Sequence, residues 1–170
     1  MNEILRKPFI GVVGGMYDDK SYAGEAIGLM IVRREAVLAF NFPPKYFASL
    51  AMDAALTARM AGGETLGIAS NSDLSGEMKK RYATWVLNPS ADEVDKYQAL
   101  ISICDAVICI GLDLRNQSKI VRKAAGRIPL VYTPTRLVVS RERALMQVVE
   151  NPREAVDAVI SEIMARRKGT

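Results

Sequence analysis

The stretch Asp105-Ala106-Val107-Ile108-Cys109-Ile110-Gly111 decides the fold class of this chain of 170 residues. An acidic residue and a glycine bound a run of consecutive apolar residues, which is typical of a strand buried on both faces of a sheet. Phe9-Ile10-Gly11-Val12-Val13 and Ile128-Pro129-Leu130-Val131-Tyr132 are similarly short and apolar. These three runs predict the central strands of a mostly parallel β-sheet.

Longer amphipathic stretches separate the apolar runs. Helices are predicted at 21–33, 46–61, about 91–102, 117–125 and 151 to about 166, and further strands at 36–40, 65–69 and 83–87. Ser90 and Glu93 have the spacing of a capping box, residues 71–80 are predicted as a polar turn, and 137–149 receive no assignment. Alternating strands and helices with short connections indicate right-handed crossovers and helices on both faces. The prediction is an α/β, Rossmann-like three-layer sandwich with a mostly parallel sheet, forming a single domain over residues 1–170.

Composition and charge exclude several classes of protein. The formal net charge is only +4, and much of the basic excess lies in 79–81 and 166–168, so nucleic acid is not a favoured partner. The sequence has no apolar run of membrane-spanning length and no leader-like beginning, which predicts a cytoplasmic protein without a membrane partner. Cys104 and Cys109 are expected to be buried free thiols.

The sequence contains no histidine. This excludes Ser-His-Asp and Cys-His catalysis and any zinc site with histidine ligands. Catalysis would have to use carboxylates, lysine, tyrosine, serine or a bound cofactor, and no metal site is predicted.

A ligand site is expected outside the carboxyl ends of the strands, where the strand order reverses. The turns at this edge are 14–19, 41–45, 111–116 and 133–136. Gly14-Gly15 would let a phosphate approach backbone amides, or they merely permit the turn from strand to helix. Neither a dinucleotide-binding glycine pattern nor a P-loop is present.

Four segments in order along the chain resemble the SLOG superfamily, the Rossmann-like proteins of the lysine-decarboxylase-like (LOG) type. They are residues 9–15, Ala61-Gly62-Gly63-Glu64-Thr65-Leu66-Gly67-Ile68, residues 105–111 and Asn151-Pro152-Arg153-Glu154-Ala155-Val156, with Met52-Asp53-Ala54-Ala55 as a further match. The resemblance implies a nucleotide or nucleotide-like ligand at the carboxyl edge of the sheet. Some members of the superfamily cleave nucleoside 5′-monophosphates, and relatives bind the molybdenum cofactor, bind single-stranded DNA or sense nucleotide signals.

The sequence departs from the active members at their catalytic motif. Arg115-Asn116 stand where the superfamily has Gly-Thr, and Lys119 stands where it has a catalytic glutamate. Phe42-Pro43-Pro44 replace a run of glycines after the second strand. Replacing glutamate by lysine removes the carboxylate that would stabilise an oxocarbenium-like centre. The resemblance therefore implies a catalytically silent protein with no catalytic residues.

The predicted function is the binding of a nucleotide or nucleotide-like ligand, with a pterin-type ligand among the candidates. Lys45, Arg115, Lys119 and Arg136 would replace the lost amides as phosphate ligands, unless the ligand was lost with the glycines. The two alternatives are a nucleoside 5′-monophosphate phosphoribohydrolase with rearranged catalytic residues and an assembly module with a closed pocket. The candidate ligand-binding residues are Gly14, Gly15, Met16, Lys45, Gly111, Asp113, Arg115, Ser118 and Arg136.

Two further expectations concern packing. The second helix carries an apolar arc, with many alanines, that is wider than one sheet-facing stripe requires. This arc predicts a homodimer whose interface includes Leu56, unless residues 137–149 cover the extra face. Trp85, the only tryptophan, lies in a predicted strand and is expected to pack in the core. Phe42 lies on a predicted site turn, where it would stack on a base or pack internally.

Overall fold

The computed structural model describes residues 6–15, 22–43, 49–69, 74–89, 96–112, 114–133 and 146–169. Of residues 96, 114, 115, 117 and 118 only the backbone is described. The strands are β1 (Phe9–Gly14), β2 (Val37–Asn41), β3 (Thr65–Ile68), β4 (Trp85–Leu87), β5 (Ala106–Ile110), β6 (Leu130–Thr133) and β7 (Gln147–Val148). The helices are α1 (Tyr22–Arg33), α2 (Leu50–Met60), α3 (Gly76–Tyr82), α4 (Lys96–Ile103), α5 (Leu114–Ala124) and α6 (Pro152–Lys168).

The seven strands form one parallel sheet in the order β4-β3-β2-β1-β5-β6-β7. β1 pairs with β5, although three strands separate them along the chain. The strand order therefore reverses between β1 and β5, which makes the carboxyl ends of these two strands the switch point of the sheet. The predicted α/β fold with a mostly parallel sheet is confirmed.

Helices cover both faces of the sheet. The first face packs against α1, α2 and α6, whose buried residues join Ile10, Leu38 and Ile108 in one apolar cluster. The second face packs against α4 and α5 in a cluster that includes Val107 and Leu100. The change of face at the switch point follows from right-handed crossovers that run in opposite directions from β1 and β5.

Close packing between α1 and α2 explains the alanines of α2. Gly28 of α1 lies so close to α2 that a Cβ atom there would collide with the carbonyl oxygen of Ala54. Leu50, Ala51, Met52, Ala54, Ala55 and Ala58 are all buried within the chain. The alanines of the predicted apolar arc are thus covered within the chain, while Leu56 is partly buried and Met60 at the end of α2 is 81% exposed.

The helix boundaries differ from the prediction in three places. Ser49 is extended and its Oγ accepts a hydrogen bond from the Met52 N–H, so α2 begins at Leu50 and not at residue 46. A helix, α3, capped by Ser75, occupies part of the segment predicted as a turn. It was not predicted because its lysine-rich sequence shows no clear apolar periodicity. α5 begins at Leu114, three residues before its predicted start. Its first turn is mostly polar, so apolar periodicity did not reveal it. The predicted capping box of Ser90 and Glu93 lies outside the described residues.

The expectation for Trp85 was wrong. Trp85 is 47% exposed, because β4 is an edge strand and has a neighbouring strand on one side only. The unassigned segment ends in a further short edge strand, β7, at the opposite side of the sheet. Among the helices of the described ranges, none is long and apolar enough to cross a membrane.

Candidate ligand site at the carboxyl edge of the sheet

The turn after β1 is held tightly against the turn after β5. The N–H of Gly15 donates to the carbonyl of Ile110 at 2.8 Å. A Cβ atom at Gly15 would collide with the carbonyl oxygen of Gly111, and one at Gly14 would collide with the backbone N of Ala51. Close packing at the switch point therefore requires both glycines, whether or not a phosphate also lies there.

The turn after β5 is fixed in the same way. Gly111 has φ = 56°, a left-handed conformation that glycine adopts without strain. Its N–H donates to the carbonyl of Thr133 at 3.1 Å, so the turn is joined to the end of β6. Leu112, which follows, is buried. The backbone amides of Gly15 and Gly111 are thus both engaged within the sheet.

Three of the predicted site residues meet at the switch point, namely Gly14, Gly15 and Gly111. Arg115 and Ser118 lie in the first turns of α5, but their side chains are outside the described part of the chain. Met16, Lys45, Asp113 and Arg136 fall entirely outside the described residues. Their predicted roles as ligand contacts stay predictions.

Asn116, which stands in the place of the superfamily's Gly-Thr, is held by a neighbouring helix. Tyr97 near the start of α4 donates a hydrogen bond from its hydroxyl to Asn116 Oδ1 at 3.0 Å. Tyr97 is only 4% exposed. This bond ties the beginnings of α4 and α5 together on the second face of the sheet. Asn116 is therefore fixed by α4, while Lys119, one turn further, is exposed.

Phe42 belongs to the core and not to a stacking surface. It is buried, and its ring lies 4.8 Å from that of Phe40 at an interplanar angle of 64°. A Cβ atom at Gly67 of β3 would collide with the Phe42 ring. The aromatic side chain thus fills the space above Gly67 at the exit of β2.

Two unpartnered side-chain oxygens flank the switch point. Sequence reasoning placed their residues in turns at this edge but did not predict either one as a ligand contact. Asn41 Oδ1 and Thr133 Oγ1 are buried and have no hydrogen-bond partner among the described residues. Asn41 is the last residue of β2, next to β1, and Thr133 is the last residue of β6, next to β5. The available signal in the sequence was a polar residue closing an otherwise apolar strand.

The two residues point to opposite faces of the sheet. Ala39 packs on the second face and Phe40 on the first, so alternation along β2 places the Asn41 side chain on the second face. Val131 packs on the first face, which places the Thr133 side chain there as well. A ligand at the switch point would thus meet one unpartnered oxygen on each side of it.

A carboxyl group of α2 is also perturbed close to this edge. Burial raises the pKa of Asp53, and the neighbouring negative charge of Glu25 raises it further. Asp53 Oδ2 is buried without a hydrogen-bond partner, and a Cβ atom at Gly24 would lie 3.1 Å from the Asp53 Cβ. Within the described ranges, no group of three or more His, Cys, Asp or Glu residues could hold a metal ion.

Two surface cavities have no residue of the switch point in their lining. One of about 430 Å³ lies between α1, α2 and the beginning of α6, and its lining includes Tyr22, Glu25 and Arg153. The other, of about 190 Å³, lies beside the start of β1 and α6, with Arg6, Arg34 and Arg167 in its lining. We place the candidate site at the switch point, because the topology and the unpartnered oxygens coincide there.

Comparison with protein-family models finds no match, and comparison with curated proteins finds none either. Among solved structures, the molybdenum cofactor binding protein from the phototrophic bacterium Rippkaea orientalis is 19% identical, with 94% of this chain and 99% of that chain covered and a TM-score of 0.71. The Moco carrier protein from Chlamydomonas reinhardtii is 19% identical, with 95% of this chain and 99% of that chain covered and a TM-score of 0.66.

A structure of a different functional class has the same fold. DNA processing protein A from Streptococcus pneumoniae is 14% identical, with 89% of this chain and 61% of that chain covered and a TM-score of 0.58. At such identities the likeness shows the fold alone. It supports the Rossmann-like α/β fold that the sequence predicted.

Proposed function

We propose that this protein is a catalytically silent binding protein for a phosphate-bearing, pterin-type ligand, held at the carboxyl edge of the sheet beside β1 and β5. The observation that carries the proposal is the pair of unpartnered oxygens, Asn41 Oδ1 and Thr133 Oγ1, at the strand ends that flank the switch point. Structures of this fold include a molybdenum cofactor binding protein and a Moco carrier protein, which supports a pterin-type ligand for this chain too.

An unpartnered buried oxygen is costly, so its position needs an explanation. Leaving a buried acceptor without a donor costs about 1–3 kcal/mol, and native structures hold few such groups. Among the described residues, two of these atoms end strands at the edge where parallel sheets bind ligands. The Thr133 hydroxyl, which can itself donate, would bond an acceptor of the ligand, and Asn41 Oδ1 would accept from a ligand whose ring carries N–H groups. This is the chemistry of a pterin or a nucleotide base.

The phosphate end of the ligand is assigned to the basic residues predicted from the sequence. We propose that Lys45, Arg115 and Arg136 contact the phosphate, with Met16, Asp113 and Ser118 also lining the site. Since the amides of Gly15 and Gly111 are engaged in the sheet, charged side chains are the better candidates for binding a phosphate.

The same substitutions argue against hydrolysis of nucleotides. Lys119 is exposed and stands where active members carry glutamate, and Asn116 is held by Tyr97. We expect no release of free base from nucleoside 5′-monophosphates. Turnover at about 1 per second or faster would show instead that rearranged residues support phosphoribohydrolase activity.

A thermal-shift screen tests the proposed function. Neopterin monophosphate, GMP, AMP, NAD and flavin mononucleotide are each added in large excess, because a ligand that binds only the native state must raise its Tm. At about 100 times Kd the native state gains about 2.7 kcal/mol, which is a shift of several degrees for a chain of this size. We expect the largest shift with neopterin monophosphate. A shift with nucleotides alone would make the ligand a nucleotide, and no shift with any compound would favour an assembly module with a closed pocket.

We also propose that the protein acts in the cytoplasm as a homodimer whose interface includes Leu56 of α2. The alanines of α2 are buried within the chain, while Leu56 is only partly buried and Met60 at the end of the helix is 81% exposed. Light scattering should give a mass near twice 18.6 kDa for the wild type, and Leu56→Glu should reduce it to the monomer value. A wild-type mass near 18.6 kDa at all concentrations would contradict the dimer.

A further inference from the structure

We propose that Asn41 binds the ring of the ligand through paired hydrogen bonds, so that the ring lies on the β2 side of the switch point, over the second face of the sheet. This inference rests on the proposed function, which it makes more specific. It assigns the ring end of the ligand to a described residue that no sequence motif singled out.

The neighbours of Asn41 on the adjacent strands are apolar. Strand register places Ile68 of β3 beside Asn41. On the other side, Val12 of β1 pairs with Phe40, so the next residue, Val13, lies beside Asn41. Val13 and Ile68 both belong to the apolar cluster of the second face. Further along the sheet the same row continues with Cys109 and Tyr132, which are buried. Asn41 thus places an amide within a row of apolar side chains.

A leucine would fit this row without leaving a polar atom unpaired. Leucine has the same branching at Cγ as asparagine, and apolar neighbours would stabilise it. Asn41 instead carries an Oδ1 without a partner, while the residue as a whole stays partly exposed. The amide is therefore poorly explained by packing and is better explained by a partner that binds from the carboxyl edge.

The chemistry of the amide selects the ring end of the ligand. An asparagine side chain offers an acceptor next to two donors, which pair with an N–H and an adjacent acceptor on the edge of a heterocycle. A phosphate dianion has no donor for Oδ1, so the unpartnered atom cannot be satisfied by a phosphate. Because χ2 of asparagine is a broad torsion, rotation can turn Oδ1 towards a ring at the exposed side.

The distance across the sheet leaves room for both ends of the ligand. β2 and β5 are separated by two strand spacings, which is about 10 Å. A ring at Asn41 would lie over Val13 and Ile68, while the phosphate would extend past the switch point towards the beginning of α5. The apolar row suits the face of a planar ring, and the amide suits its edge.

The test is a titration of neopterin and neopterin monophosphate into wild type and Asn41→Leu, followed by calorimetry. Loss of a paired hydrogen bond to a ring should lower both affinities by the same factor, about tenfold or more. The Tm of the free Asn41→Leu protein should stay the same or rise, since the unpartnered oxygen is gone. Asn41→Val, which matches its neighbour Val13, serves as a second variant of the same design.

Thr65→Val is the matched control for a polar-to-apolar change in a buried strand. Thr65 lies at the amino end of β3, away from the site, and its hydroxyl donates to the Tyr82 carbonyl at 2.8 Å. This variant should lower the Tm and keep wild-type affinity for both compounds. It separates a loss of binding at the site from a general loss of stability.

The outcomes separate this inference from the proposed function. Wild-type affinity in Asn41→Leu, or a loss confined to the phosphorylated compound, would overturn the assignment of the ring to Asn41 while the proposed function stands. A lower Tm in both Asn41 variants would show that the amide is structural and would also overturn it. If wild type binds neither compound, the proposed function fails and this inference fails with it.

Discussion

Thr65 and Thr133 are both buried threonines, one at the amino end of β3 and the other at the carboxyl end of β6. They differ in hydrogen bonding. Thr65 Oγ1 donates to the Tyr82 carbonyl and accepts from the Thr84 N–H at 3.1 Å. Thr133 Oγ1 has no partner in the described part of the chain. Replacing each by valine makes the same chemical change, so the pair measures what the hydrogen bonds contribute.

We expect Thr65→Val to lower the free energy of unfolding by about 1–3 kcal/mol, because it removes the hydroxyl that donates to the buried Tyr82 carbonyl. The Thr84 N–H loses its bond to the hydroxyl but keeps its bond to the Thr65 carbonyl at 2.9 Å. Thr133→Val should leave it unchanged or raise it. Urea denaturation of both variants measures the difference. An equal loss in the two variants would show that Thr133 is already satisfied in the free protein, which would remove half of the support for the ligand site.

The raised pKa of Asp53 predicts a pH-dependent cost to stability. Since burial and then Glu25 raise this pKa, the folded protein binds the proton more tightly than the unfolded chain does. Stability should therefore fall as the pH rises through the carboxyl range, and the ionised group should cost stability at neutral pH. Asp53→Asn should raise the Tm at pH about 7 and give little gain below pH about 3.5, where both states are protonated.

Glu25→Gln is the control, because it removes only the second of the two causes. It should raise the Tm at neutral pH by less than Asp53→Asn. A loss of stability in Asp53→Asn at neutral pH would show instead that the carboxylate has a stabilising partner in the folded protein.

The glycines of the switch point could be predicted from the sequence, and the unpartnered oxygens could not. Gly14-Gly15 and Gly111 follow apolar runs, so their position at strand ends is a local property of the chain. Whether Asn41 or Thr133 finds a hydrogen-bond partner depends on neighbouring strands and helices that are distant in sequence. Only the register of the assembled sheet reveals it.

At the scale of elements, the contact between α1 and α2 makes the strongest prediction. Alanine in place of a helical glycine ordinarily stabilises by about 0.5–1 kcal/mol. At Gly28 the added Cβ would collide with the Ala54 carbonyl oxygen, and both helices are fixed to the first face of the sheet. Gly28→Ala should therefore destabilise by about 1–3 kcal/mol or more.

Gly76→Ala is the matched control for this change. Gly76 is the first residue of α3, and a Cβ atom there would have no heavy atom within 4 Å. This variant should keep or raise the Tm, as helix propensity predicts. Equal behaviour of the two variants in thermal unfolding would contradict the close approach of α1 and α2.

Elements with a strong local signal were predicted well. β5 has the predicted bounds, because an apolar run between Asp105 and Gly111 has one clear solution. The predicted start of α2 was wrong because Ser49 is the N-cap that sets the first residue of the helix. Apolar periodicity does not show where a cap lies. α3 was missed because its polar sequence is stabilised by the Ser75 cap and by packing of Tyr82 against the rest of the fold.

At the scale of the whole molecule, the proposed ligand site rests on topology more than on any motif. The reversal of strand order between β1 and β5 fixes where a ligand binds in such a sheet. Which ligand binds depends on turns whose sequence departs from the superfamily, so the resemblance alone did not name it. The proposal of a ring with N–H groups therefore rests on the unpartnered oxygens beside the switch point.

The most direct test of the central claim is a titration of the ¹⁵N-labelled protein with neopterin monophosphate, followed by backbone amide chemical shifts. The account predicts saturable shifts at Gly15, Asn41, Gly111 and Thr133, around the switch point. Saturable shifts confined to Arg6, Arg34 and Arg167, around the cavity beside the start of β1, would place the ligand at the wrong edge of the sheet. That result, or the absence of any saturable shift, would contradict the account.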